Sequence, residues 1–136
     1  MTPIQRRDLC LYRMKRAHKS LKEARNLLAD NLLEGAANRL YYSVFYAVGA
    51  LALAHDFVTT QHTAFRAWYN KNIAKAGLMD DPIRILYNKA FDQRTEGDYL
   101  DMVELDAEVI GTMLLQAEPF ITRIEELLME KLKEEN

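Results

Sequence analysis

The sequence has few of the residues that build disulfide frameworks, metal sites or flexible linkers: its 136 residues include one cysteine, three histidines, three prolines and five glycines. Because Cys10 has no second cysteine to pair with, an internal disulfide is excluded, and the scattered histidines lack the spacing of zinc ligands. We therefore expect neither a metal nor another cofactor. With 49% hydrophobic residues and little proline or glycine, the composition excludes a low-complexity chain and favours one domain over residues 1–136.

Export and membrane signals are also missing from the sequence. The first ten residues, MTPIQRRDLC, lack the apolar segment of a signal peptide. The longest apolar run, LYYSVFYAVGALALA at residues 40–54, is shorter than the roughly 20 residues that cross a bilayer. We therefore expect a cytoplasmic protein without a membrane span, in which this run forms the central helix of a bundle.

Charge is unevenly distributed along the chain. The net charge is −2, but residues 1–25 contain eight basic side chains against two acidic ones, so the rest of the chain is strongly acidic. A basic first helix of this kind suits an acidic partner or RNA. The alternative is a solvated helix face that acidic helices nearby balance.

Apolar residues recur at intervals of three and four, which predicts amphipathic helices, and no segment alternates with the period of a strand. The predicted helices begin after Thr2-Pro3, Glu34-Gly35, Thr59-Thr60, Pro82 and Gly97. We expect the third to end at Gly77, the fourth near Arg94, and the fifth to be capped by Asp98 or Asp101. Long helices with short connections must run back along one another, so the fold class is all-α, an antiparallel up-and-down helical bundle.

Arg39 is unusual because it lies in the most apolar of the predicted helices. Tyr42 and Tyr46 follow it by three and seven positions and therefore share its helix face. A guanidinium buried there without an anion would be strongly destabilising. Its partner is either a carboxylate of the bundle, which would make Arg39 structural, or a bound phosphate, which would make it part of a site.

The stretch FDQRTEGDYLD, residues 91–101, places Arg94 and Tyr99 five positions apart around a Glu-Gly-Asp sequence that we expect to form a turn. Bundle topology can bring these two residues beside Arg39 and Tyr42. Arginine binds phosphate with two parallel hydrogen bonds, and tyrosine offers a stacking face and a hydroxyl, so the four residues would suit a phosphate flanked by a base.

His62 lies near the start of the third predicted helix and could face the same cleft as a catalytic acid or base, although a cap or surface role is the alternative. The candidate ligand-binding residues are therefore Arg39, Tyr42, Tyr46, His62, Arg94 and Tyr99. Arg94, His62 and Tyr99 are the candidates for any catalytic role.

Three segments, EGAANRLYYSVFYAVGALAL, TQHTAF and FDQRTEGDY, resemble the small single-domain members of the HEPN family. The most specific elements are Asn38-Arg39-x-Tyr41-Tyr42 and Arg94-x4-Tyr99. The resemblance implies a bundle of four long helices plus a short helix, commonly as a homodimer. It also implies a partner protein, because HEPN proteins are often encoded beside a minimal nucleotidyltransferase, as toxin–antitoxin or defence modules in which many members cleave RNA.

The chain departs from the RNA-cleaving members, in which an arginine is followed about five residues later by a histidine. Here Tyr99 occupies that position, and no histidine follows Arg94. A phenol with a pKa near 10 is a poor base at neutral pH, so RNA cleavage would require His62 from another helix. The pattern therefore favours binding over catalysis.

The leading hypothesis is a HEPN-type accessory or toxin–antitoxin-like protein that binds a nucleotide or RNA phosphate in a polar cleft and acts with a nucleotidyltransferase partner. One alternative is a metal-independent ribonuclease that uses Arg94 with His62. Another is a non-catalytic dimerisation scaffold whose arginines pair with Asp92 or Asp98. In a further hypothesis, the hydroxyl of Tyr99 accepts a nucleotidyl group from the partner.

Overall fold

The computed structural model describes residues 1–99 and 105–134, except for the side chains of residues 95–99. Its α-helices are α1 (Pro3–Ala29), α2 (Leu33–Ala54), α3 (His62–Tyr69), α4 (Leu86–Tyr99) and α5 (Ala107–Lys133). A π-helical turn, Asn70–Ala74, extends α3, and a 3-10 turn, Ile83–Ile85, precedes α4. The described residues contain no strand, which confirms the prediction of an all-α helical bundle.

The start of α1 shows how local sequence sets a helix boundary. The hydroxyl of Thr2 accepts a hydrogen bond from the backbone N–H of Gln5 at 3.1 Å, and the side chain of Gln5 accepts one from the N–H of Thr2 at 2.9 Å. This reciprocal capping box satisfies two N–H groups that have no partner inside the helix. Pro3 then occupies a first-turn position, where its lack of an N–H costs nothing. The predicted start of the first helix is confirmed.

The predicted end of the fourth helix and start of the fifth are wrong. The Glu-Gly-Asp sequence after Arg94 is not a turn, because α4 continues through it to Tyr99. α5 begins at Ala107, and its cap is Asp106, whose carboxylate accepts hydrogen bonds from the N–H groups of Glu108 and Val109 at 2.8 and 3.4 Å. This cap holds the first turn of α5 as an Asp or Ser cap normally does.

Neither aspartate proposed as the cap of the fifth helix has that role in the described chain. The backbone of Asp98 lies within α4, and Asp101 lies outside the described residues. The cap of α3 also differs from the prediction: Gln61, and not Thr59 or Thr60, is the residue before its first turn. The hydroxyl of Thr59 instead accepts the N–H of Gln61 at 3.1 Å and shapes the loop that leads into α3.

The core forms around α2, which packs against α1, α4 and α5. Its apolar residues cover most of the helix circumference, so it needs neighbours on several sides. The largest fully buried side chains include Tyr41, Tyr69, Tyr87 and Phe120, from α2, α3, α4 and α5 respectively. Within residues 1–99 and 105–134, no helix has both the length and the apolarity of a membrane span.

Candidate functional site

Polar and aromatic side chains from three helices meet around Tyr42. We call this group the Tyr42 cluster: Arg39, Tyr41 and Tyr42 of α2, His62 of α3 and Arg94 of α4. Tyr41 is fully buried, whereas the other four side chains are partly exposed. The cluster therefore combines a buried aromatic base with a polar rim that solvent or a ligand can reach.

Arg94 lies against both tyrosines of α2. Its guanidinium carbon is 4.9 Å from the centre of the Tyr41 ring and 5.5 Å from that of Tyr42. It also donates a long hydrogen bond of 3.5 Å to the Tyr42 hydroxyl. Cation–π contacts of this kind contribute about 0.5–2 kcal/mol each, more when water is excluded. They hold the Arg94 guanidinium over α2 although 52 positions separate it from Tyr42.

Arg39 approaches the same tyrosine, with its guanidinium carbon 4.9 Å from the centre of the Tyr42 ring. Its Nε and Nη2 atoms both donate to the side-chain oxygen of Asn38, at 3.0 and 2.7 Å. Among the residues that the structure describes, no carboxylate forms an ion pair with Arg39. The expected anionic partner is thus not a carboxylate of this part of the chain. Because Arg39 is partly exposed, leaving its charge without an anionic partner costs less free energy than it would in the core.

The scaffold hypothesis proposed Asp92 or Asp98 as carboxylate partners of the arginines. Asp92 instead pairs with Arg66 at 3.1 Å, and Arg66 also lies over the ring of Phe91 at 4.1 Å. The side chain of Asp98 is outside the described residues. Asp92 therefore links α3 to α4 and does not neutralise Arg39.

His62 is held by Tyr41 and Phe45. Its Nδ1 atom lies 2.6 Å from the hydroxyl of Tyr41, and its ring stacks on Phe45 with centres 4.4 Å apart. Burial, and then the positive charge of Arg94, lower the pKa of His62 below its ordinary value. Burial also raises the pKa of Tyr41 far above the ordinary value for a phenol, so Tyr41 stays protonated and can donate to Nδ1.

These pKa directions decide what His62 can do. At neutral pH its imidazole is uncharged and has two tautomers: either Nδ1 accepts from Tyr41 and Nε2 carries the proton, or Nδ1 donates to the Tyr41 oxygen and Nε2 is free to accept a proton. The cap of α3 is Gln61, so His62 does not have the cap role that the sequence left open. Sequence reasoning missed its partner Tyr41, although the Tyr41-Tyr42 pair was part of the recognised motif, because a fully buried tyrosine has the pattern of a core residue.

Tyr46 lies at the edge of the cluster and has a different cationic neighbour. Its ring centre is 5.7 Å from that of Tyr42, but its hydroxyl accepts a hydrogen bond from Arg16 of α1 at 3.2 Å. The Arg16 guanidinium also lies 5.0 Å from the Tyr46 ring centre. The remaining candidate, Tyr99, belongs to α4 by its backbone, and its side chain is outside the described residues.

The basic face of α1 is partly balanced by α5. Arg25 pairs with Glu118 at 2.8 Å, and His18 Nε2 lies within hydrogen-bonding distance of Glu125 Oε1, at 3.1 Å. Such exposed pairs contribute little stability, but they account for part of the charge asymmetry along the chain. In the described ranges no three His, Cys, Asp or Glu side chains are grouped as metal ligands.

Comparison with known proteins identifies the family. The HEPN domain family matches residues 11–127. The chain belongs to the HEPN family. A UPF0332 protein of Thermotoga maritima is 35% identical over 117 residues, which cover 86% of this chain and 89% of that protein. A Methanocaldococcus jannaschii protein named "Putative toxin MJ0142" is 29% identical, and the match covers 90% of this chain and 85% of that protein. A UPF0332 protein of Archaeoglobus fulgidus is also 29% identical, and the match covers 82% of this chain and 88% of that protein.

The family assignment agrees with the resemblance noted from the sequence motifs. A second Methanocaldococcus jannaschii relative, 24% identical over 114 residues, also has toxin in its name. The word toxin thus belongs to the names of two of these relatives, and what this chain shares with them is the HEPN domain.

Proposed function

We propose that this HEPN protein binds a phosphate group of RNA or of a nucleotide at the Tyr42 cluster, as the accessory, toxin–antitoxin-like component of a pair with a nucleotidyltransferase. The observation that carries the proposal is the approach of two guanidinium groups, from α2 and α4, to the one ring of Tyr42. The two positive charges repel each other, which opposes their cation–π contacts with the ring, whereas an anion between or beside them would be attracted by both.

The chemistry of Arg39 supports a phosphate as this anion. Two of its donors are held by the neutral oxygen of Asn38, which orients the guanidinium without neutralising it. A phosphate oxygen would supply the missing negative charge, and the hydroxyl of Tyr42 adds a further hydrogen-bonding group beside Arg94. The aromatic faces of the cluster suit a base next to that phosphate.

Binding of a labelled RNA oligonucleotide, measured by fluorescence anisotropy, tests this proposal. A hydrogen bond to a charged group is worth about 1.5–3 kcal/mol. Arg39→Gln and Arg94→Gln should therefore each weaken binding by roughly 10- to 100-fold. Arg84→Gln is the matched control, because Arg84 is exposed on the 3-10 turn and pairs with Asp81 at 2.9 Å; it should leave the affinity unchanged.

Phosphate and ATP titrations followed by thermal unfolding complete the binding test, because a ligand that binds the folded state raises the melting temperature. If none of RNA, ATP and phosphate binds, the scaffold hypothesis replaces this proposal. If RNA binds equally to the wild type and to both cluster variants, the proposed site is wrong, since the cluster then does not hold the phosphate.

The proposed partners rest on family membership and on the toxin names of the two Methanocaldococcus relatives. We propose a homodimer that associates with a nucleotidyltransferase encoded beside it. Co-expression of the two chains, followed by size-exclusion chromatography with light scattering, should give one complex containing both. Intact-mass measurement of the HEPN chain from this complex would also detect a nucleotidyl group on Tyr99. Separate elution of the two chains would contradict the proposed association.

A second candidate function is metal-independent RNA cleavage, favoured by the position of His62. Its imidazole is neutral at neutral pH, is oriented by Tyr41 and lies close enough to Arg94 for that charge to lower its pKa. In the tautomer that carries its proton on Nδ1, His62 donates to the Tyr41 oxygen, and its free Nε2 would act as the base while Arg94 holds the phosphate.

Incubation of the pure protein with RNA in the presence of a chelator tests the ribonuclease candidate. Cleavage should be lost in both His62→Ala and Arg94→Ala. His55→Ala is the control, since His55 follows the end of α2, outside the cluster, and burial likewise lowers its pKa. Cleavage that persists in the two cluster variants would come from a contaminant or another site, and absence of cleavage by the wild type would leave binding as the function.

A further inference from the structure

A second concave site lies between α1, α2, α3 and the loop that precedes α3. It is a cavity of about 220 Å³. Its lining residues are Arg13, Phe45, Tyr46, Gly49, Thr59, Thr60 and Phe65. None of these except Tyr46 was a candidate in the sequence, because the residues come from three separate segments.

The cation in this cavity is Arg13, which is half-buried. Its Nη1 atom donates to the backbone oxygen of Gly49 at 3.1 Å. In the described part of the chain it has no carboxylate partner. Burial lowers the pKa of the Arg13 guanidinium, which indicates that its positive charge is poorly solvated. A partly desolvated cation at the wall of a cavity attracts an anion more strongly than an exposed one does.

The other walls are aromatic. The rings of Phe45 and Phe65 meet edge to face with centres 5.3 Å apart. Gly49 keeps the space open: a Cβ there would lie 3.9 Å from Arg13 Nη1 and 3.9 Å from the Phe65 ring. Thr59 and Thr60 add hydroxyl groups at the rim. Aromatic walls with one cation and a few hydroxyls are the usual composition of a small-molecule site.

The volume of the cavity limits the size of the ligand that it can hold. A cavity of about 150 Å³ holds benzene, so a cavity of about 220 Å³ has room for one ring with an acidic substituent. A larger ligand such as a dinucleotide would not fit inside it. We propose that this cavity binds a small anion carrying one planar ring, with the acidic group on Arg13 and the ring packed against Phe45 and Phe65.

This site is independent of the proposed phosphate site but lies beside it. Phe45 lines the cavity and also stacks on His62 of the Tyr42 cluster. A test must therefore report which of the two places a ligand occupies. Amide chemical shifts do so, because Gly49, Thr59 and Thr60 line the cavity, whereas Arg39 and Arg94 belong to the cluster.

Sodium benzoate, benzamide and sodium acetate are the probes, added to isotope-labelled protein and followed by amide NMR spectra. Benzamide has the shape of benzoate without its charge, and acetate has the charge without the ring. We expect benzoate to shift the amide signals of Gly49, Thr59 and Thr60, and to bind about tenfold or more tightly than either analogue. Equal binding of benzoate and benzamide, shifts centred on Arg39 and Arg94, or no shift at all would overturn the proposal.

Two substitutions test the cavity, one by removing its positive charge and the other by filling its volume. Arg13→Gln removes the charge and should weaken benzoate binding by about tenfold or more. Gly49→Leu fills the cavity with a side chain that favours the helix, and should abolish binding while far-UV circular dichroism shows the helices intact. Lys15→Gln, which removes an exposed charge from the same helix, is the control and should bind benzoate as the wild type does. If either folded cavity variant binds benzoate as tightly as the control, the assignment is wrong.

Discussion

The hydrogen bond between Tyr41 and His62 gives the most direct test of how the Tyr42 cluster is built. Tyr41→Phe removes the hydroxyl that lies 2.6 Å from His62 Nδ1 and keeps the ring. That ring retains its aromatic contacts, with the centres of Tyr42 and Phe45 at 5.3 and 5.7 Å. The change in stability should therefore equal the net value of one hydrogen bond, about 1 kcal/mol, and not the about 3–5 kcal/mol of deleting a buried ring.

Urea unfolding followed by circular dichroism measures this difference. For a chain of this size a loss of about 1 kcal/mol corresponds to a fall of about 4 °C in melting temperature. Tyr12→Phe is the matched control: Tyr12 is exposed, and its hydroxyl accepts a 3.2 Å bond from Arg16. Its effect should stay within about 0.5 kcal/mol.

A double-mutant cycle separates the hydrogen bond from other effects of the substitution. In a His62→Ala background the Tyr41 hydroxyl is buried without this acceptor, so replacing it with hydrogen should be neutral or stabilising. The loss of stability caused by Tyr41→Phe should thus disappear or reverse in the His62→Ala background. An equal loss of stability in both would refute the reasoning, because the hydroxyl would then stabilise the fold through another partner.

Three further outcomes follow from the structure. Gly49→Ala should stabilise the protein by about 0.5–1 kcal/mol in thermal unfolding, because alanine favours the helix interior and the added Cβ makes ordinary contacts at 3.9 Å. Destabilisation would show that the cavity wall cannot accept the added methyl group. Stability should fall as the pH drops below about 6.5, because the folded state, with the lowered pKa of His62, binds fewer protons than the unfolded state does. His62→Gln should remove part of this loss in melting curves recorded across that range, and an unchanged pH profile would contradict the lowered pKa. Phe120→Ala should lower the free energy of unfolding in urea by about 3–5 kcal/mol, because Phe120 is 0% exposed. A decrease of less than about 1 kcal/mol would mean that the core closes around the cavity left by the ring.

Most of the helical framework was predictable because helix signals are local. The spacing of Cys10, Met14, Ala17, Leu21 and Ala24 marks one face of α1, and all five residues are buried. The Thr2 cap involves residues only three positions apart. Family membership was also readable, because its motifs are short segments in a fixed order.

The boundaries around the Glu-Gly-Asp sequence were predicted wrongly because a glycine and two acidic residues are compatible with both a turn and a helix. α4 continues through them, and Asp106 supplies the cap of α5 beyond the range in which the sequence suggested one. Local propensity alone does not choose between such alternatives, because packing of the neighbouring helices contributes more free energy than any one cap.

Apolar periodicity and short motifs depend on residues a few positions apart, so they were enough to predict an all-α HEPN bundle. Which polar groups meet depends on how the helices pack. Tyr41 joins His62 across 21 positions, and Arg94 joins Tyr42 across 52. Arg13 reaches Gly49 across 36 positions to line a cavity that no local pattern indicates. These contacts depend on the register in which helices pack, which is set by the whole core and not by the residues that carry the chemistry.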